Sequence, residues 1–167
     1  MVAKGKSFEK QSERFFKELF EEIGYQVLEV RPQQSGTQYG FDILVRILDE
    51  NNTERKINLE CKDYSKKPDW KEFLDKIIQL DASAYVPDIF IGLSPKAGIS
   101  NVNHNSLENL KTKLKFPIRL WSPDTKLEEL FAINGDIYSL IYDNATTPQV
   151  NKNKISKKYK IIIKALL

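Results

Sequence analysis

The residues best equipped for chemistry in this 167-residue chain stand at the edges of two apolar runs. Asp42 opens one run, in Gly40-Phe41-Asp42 followed by ILVRIL. Glu60-Cys61-Lys62 closes the other, in KINLECK. An acid-x-Lys tripeptide discriminates poorly by itself, since Glu54-Arg55-Lys56, Asp69-Trp70-Lys71 and Asp124-Thr125-Lys126 share the pattern. The first of these overlaps a turn. The other two stand at expected helix starts, where the helix dipole favours an acid. Only Glu60-Cys61-Lys62 ends an apolar strand.

Strand geometry then assigns directions. Side chains at i and i+2 share a face, so Glu60 and Lys62 project together and Cys61 points into the core. If the two runs pair as an antiparallel hairpin, the start of the first meets the end of the second, and Asp42 comes close to Glu60. Two neighbouring carboxylates repel, and a divalent cation relieves the cost. Carboxylate oxygens, the Cys61 backbone carbonyl and water suit Mg²⁺ or Mn²⁺. Lys62 would stand beside the attacking water or the phosphate oxygen, where its charge stabilises the charge developing in phosphodiester hydrolysis. The plainer alternative has Asp42 capping a turn and Lys62 pairing with Glu60 at the surface. It leaves unexplained why the polar residues gather at one end of otherwise apolar strands.

These residues need elements to hold them. Phe8, Phe15, Phe16, Leu19, Phe20 and Ile23 recur at helical spacing, so Ser7 to Ile23 is expected as an amphipathic helix that stops at Gly24. Tyr25 to Arg31, Phe41 to Leu48 and Lys56 to Lys62 read as strands, with turn chemistry in Asp49 to Glu54. A second helix is expected from Asp69 to about Tyr85, then a buried strand over Asp88 to Leu93. Ser100 to Lys115 reads as a helix, Pro117 to Trp121 as a strand, and Pro123 to Ala132 as a helix. Asp136 to Tyr142 is ambiguous. A hairpin followed by crossover helices predicts an α/β fold with a mixed central β-sheet flanked by helices.

Composition excludes several classes. No run of about 18 apolar residues is present, so no membrane span is expected. One cysteine and one histidine can form neither an internal disulfide nor a zinc site. With no signal-peptide pattern in MVAKGKSFEKQSER, a cytoplasmic setting is expected. Net charge is only +3, but no acid follows Asp143 while Lys152, Lys154, Lys157, Lys158, Lys160 and Lys164 do. Residues 1–145 are therefore expected as one domain and 146–167 as a basic linker or C-terminal extension. Gln34, Ser35 and Gln38, in the loop before Asp42, suit a phosphate or a base edge, and equally suit a solvated loop. Tyr64, Lys66 and Lys67 follow the motif directly and could grip a DNA backbone.

The element order and the two motif halves resemble the PD-(D/E)xK nuclease superfamily, whose core is restriction-endonuclease-like. The resemblance covers roughly Ser7 to Ser94. Gly40-Phe41-Asp42 stands for the first half, with Phe41 replacing the nominal proline, and Glu60-Cys61-Lys62 stands for the second. It is nearest to Mrr-like restriction enzymes and archaeal Holliday-junction resolvases. It implies a Mg²⁺-dependent endonuclease acting on DNA, leaving 5′-phosphates, in restriction or anti-phage defence. It also implies Glu13, on the first helix ahead of Gly24-Tyr25, as a further acid facing the metal; read from the sequence alone, Glu13 fits a solvated helix face as well. Gln79 on the second helix would support the site. A homodimer follows from the need for two such sites in a double-strand break, and fusion to an ATPase or sensor module is common in the resembled family. Resolution of branched DNA and binding without cleavage are the alternatives.

Overall fold

A computed structural model describes residues 2–32, 40–62, 70–84, 86–98, 106, 108–143 and 145–167. Its framework is a five-stranded mixed sheet, β1 (Gln26–Pro32), β2 (Gly40–Leu48), β3 (Glu54–Lys62), β4 (Ile89–Leu93) and β5 (Ile118–Trp121), in spatial order β1-β2-β3-β4-β5. The first three strands are antiparallel, and β3-β4-β5 are parallel. The α/β fold expected from the sequence is the fold observed.

The β2–β3 hairpin is paired without a slip from Gly40↔Lys62 to Leu48↔Glu54. Its turn is locked by Asp49, whose Oδ1 accepts from the Asn51 and Thr53 amides at 2.8 and 2.9 Å. Asn52 takes the left-handed conformation there, at φ 57°. Period two then sorts the side chains. Ile43, Val45, Ile47, Ile57, Leu59 and Cys61 are buried in the main core, whereas Asp42, Leu44, Arg46, Lys56, Asn58 and Glu60 belong to the other face. β1 joins this pattern through a bulge between Val27 and Glu29, which leaves Leu28 exposed and lets Val27 and Val30 both reach the core.

Helix α1 (Val2–Glu22) covers the apolar face through Phe15, Phe16, Leu19 and Phe20. Its C-terminal stop is at Gly24, in agreement with the sequence. Gly24, at φ 103°, donates to Glu21 O and Tyr25 donates to Phe20 O, the paired bonds of a Schellman cap. Helix α2 (Trp70–Ala82) covers the other face at the parallel end, where Phe73 and Ile77 pack with Phe90, Phe116 and Ile118.

Two segments differ from expectation. Pro123 to Ala132 is not one helix. The Ser122–Thr125 capping box closes a 3-10 turn over Pro123–Thr125, Lys126 turns left-handed at φ 58°, and α3 (Leu127–Phe131) starts afresh. This break lets Leu127, Leu130 and Phe131 all be buried. The ambiguous stretch becomes helix α4 (Gly135–Ile141), capped by the Asn134 side chain. Residues 146–167, expected as a basic linker or extension, carry helix α5 (Lys152–Leu166), whose lysines mostly face water. Its Ile155, Tyr159 and Ile163 enter the main core, and the Tyr159 ring meets Trp121 edge-on at 4.9 Å. Burial pushes the Tyr159 hydroxyl up to about 12. Among the described residues, no helix is long and apolar enough to cross a membrane.

Candidate active site

Asp42 and Glu60 are Cα partners on adjacent antiparallel strands, so their side chains rise from the same face directly opposite each other. They are 4 % and 5 % exposed. Facing carboxylates repel each other when both are ionised, and burial strengthens the repulsion. Positive charge beside the pair relieves that cost.

Part of that charge comes from α2. Lys76 Nζ lies 2.6 Å from Asp42 Oδ2. The other Asp42 oxygen accepts a long hydrogen bond, 3.4 Å, from Asn58 Nδ2, and Asn58 is itself buried. Lys76 is placed by its neighbours: Phe73 and Ile77 fasten α2 to the sheet, and the ammonium reaches the strand ends from there. Gly92, the β4 partner of Glu60, makes room for this docking. A methyl at Gly92 would lie 2.7 Å from Leu120 Cδ1 and 3.1 Å from Phe73 Cε1.

The chemistry of the donors fits a hard divalent cation. Two carboxylates with a strand carbonyl nearby offer oxygen ligands, while the Cys61 thiol is buried on the opposite face of the sheet. Among the described residues, no group of three or more His, Cys, Asp or Glu side chains converges as a metal site. The structure thus brings Asp42 and Glu60 together and leaves Glu13 outside the pair. Glu13 is half-buried on α1, the helix that packs on the apolar face. Lys62 ends β3 opposite Gly40, two residues beyond Glu60, and its side chain lies outside the described residues. Gln79 is exposed, and Lys76, three residues earlier on the same helix, makes the contact with Asp42. Gln34, Ser35, Gln38, Tyr64, Lys66 and Lys67 lie outside the described residues.

Motif and spacing do not single out Asn58 or Lys76. The two-residue period that joins Glu60 to Lys62 also leads back to Asn58, so a signal for that residue is present. Lys76 carries none beyond its place beside the buried Ile77. From Asp42 and Glu60 the polar face continues into a groove of about 470 Å³, whose lining includes Arg31, Arg46, Lys56, Asn58 and Lys76. Arg46 is engaged by Glu29 and Glu54 at 2.9 and 2.7 Å.

No protein-family model matches the chain, and no curated protein matches it. Among solved structures, the MspJI restriction endonuclease in complex with a 27-mer oligonucleotide is similar, with a TM-score of 0.43 and 12% identity. The match covers 91% of this chain and 35% of that one. At this similarity the likeness carries no functional information, and the candidate site stands on its own geometry.

Proposed function

We propose that this chain is a metal-dependent DNA endonuclease that hydrolyses phosphodiester bonds, acting in prokaryotic restriction or anti-phage defence. The observation that carries the reading is the buried, directly opposed pair Asp42 and Glu60 at the end of the hairpin. Asp42, Glu60 and the Cys61 carbonyl hold Mg²⁺ or Mn²⁺. When bound, such a cation supplies Lewis acidity and lowers the pKa of a water. Lys62 orients the attacking water and offsets the charge that develops around phosphorus. Asn58 restrains the Asp42 carboxylate through its amide. Contacts with the DNA backbone are assigned to Tyr64, Lys66 and Lys67 and to Gln34, Ser35 and Gln38, from their places in the sequence beside the motif halves. The described residues that bound these segments, Pro32, Gly40 and Lys62, stand at the sheet end that carries the pair.

Incubation with supercoiled plasmid, linear duplex and a four-way junction tests this reading. With Mg²⁺ or Mn²⁺ the wild type should nick or cut the plasmid and the duplex, and EDTA should stop it. Cleavage of the junction alone would make the protein a resolvase. Binding without cleavage on all three substrates would make it a DNA-binding module, and neither binding nor cleavage would contradict the proposal.

A further inference from the structure

We infer that the Lys76 ammonium is a built-in counter-ion which holds the carboxylate pair together without metal and which a divalent cation must displace. The inference rests on the metal-site reading above. Four observations lead to it. Asp42 and Glu60 oppose each other across paired strands and are both buried, an arrangement that a neighbouring positive charge stabilises. Lys76 Nζ stands 2.6 Å from Asp42 Oδ2, in direct ionic contact. The side chain is only 27 % exposed, held between the solvent and the sheet rather than extended into water. Its helix is fixed by Phe73 and Ile77, so the ammonium is delivered by packing and not by a wandering surface chain.

A metal ion needs the same carboxylate of Asp42. An ammonium and a divalent cation sharing one carboxylate repel each other, so occupancy by one weakens the other. Lys76 therefore lowers metal affinity and stabilises the metal-free fold, two effects with a single cause. Metal loading also releases an ammonium at the head of the groove that carries Arg31 and Lys56, where it can meet an anionic substrate.

The test measures Mn²⁺ binding from the electron paramagnetic resonance of the free ion, together with melting temperature in EDTA. Wild type, Lys76→Met, Lys76→Gln and Asp42→Asn are compared. The expected result is that both Lys76 variants melt lower in EDTA and bind Mn²⁺ about tenfold more tightly, while Asp42→Asn loses binding. Lys76 variants that bind as the wild type does, or more weakly, would overturn the counter-ion role and leave the metal site standing. Absence of binding in wild type and Lys76 variants alike would overturn both. The wild type alone gives a second readout, useful if the variants fold poorly. With ¹⁵N-labelled lysine, the Lys76 ammonium resonance should shift as Mg²⁺ is added, and an unmoved resonance would overturn the displacement.

Discussion

The β2–β3 hairpin carries acids at both of its ends, and the two ends treat them in opposite ways. At the turn, each acid is matched near the surface. Asp49 takes the Asn51 and Thr53 amides and the Arg55 guanidinium at 3.0 Å, and Glu54 pairs with Arg46, which also holds Glu29. At the open end, Asp42 and Glu60 are buried face to face, with Lys76 arriving from another element. Charges at the turn close the local structure and need nothing further. Charges at the open end are concentrated where they cost stability, and such a cost is retained where the group has chemistry to do. The same strands thus set acids that close a turn beside the acids to which the proposed function assigns the metal.

Substitutions at the two ends should separate these roles. The largest effect is expected from Asp42→Ala, which should abolish DNA cleavage, a loss beyond the ~10²-fold that removing a supporting contact brings. Residual cleavage close to wild type would erase the distinction between the ends. Gly92→Ala comes next. The added methyl meets the Phe73 ring and Leu120, so urea denaturation should report a loss of about 1–3 kcal/mol. Cleavage should fall as well, because Gly92 is the β4 strand partner of Glu60. Asn58→Ala removes one long hydrogen bond to Asp42 and should weaken Mn²⁺ binding by about tenfold.

At the turn end, Arg46→Met should lower the melting temperature slightly and leave the cleavage rate unchanged. The smallest effect is in the pH dependence. The Arg46 hydrogen bond holds Glu54 below its ordinary value of 4.5, and the Thr53 amide holds Asp49 below 3.8. A carboxylate depressed on folding stabilises the native state above its unfolded pKa and loses that contribution as the pH falls through its folded one. Melting temperature should therefore decline as the pH drops below about 4.5, and the decline should be shallower in Arg46→Met. An equal slope in the two proteins would show that this end is not where the acid sensitivity lies.

Much of the open end is legible in the amino-acid sequence. Strict alternation in KINLECK puts Glu60 on one face and Cys61 on the other, and a one-to-one hairpin register brings Asp42 opposite Glu60. Gly24 marks the end of α1 because its positive φ is one that only glycine adopts without strain. Lys76 is not legible. It is one of two lysines on its helix, and only docking of Phe73 and Ile77 turns it toward Asp42. In the C-terminal segment the lysines dominate the composition and suggest a linker. The four-residue spacing of Ile155, Tyr159 and Ile163, all buried, is the signal that a packed helix lies beneath them. The break at Lys126 follows from the Ser122 capping box, a local bond pattern that hydrophobic periodicity does not report.

The most direct test of the central claim is anomalous diffraction from crystals of the wild-type protein soaked in Mn²⁺. The account predicts a peak within bonding distance of both Asp42 and Glu60, lost in Asp42→Ala. A peak bound elsewhere, or a Mn²⁺-free pair under conditions that support DNA cleavage, would contradict it.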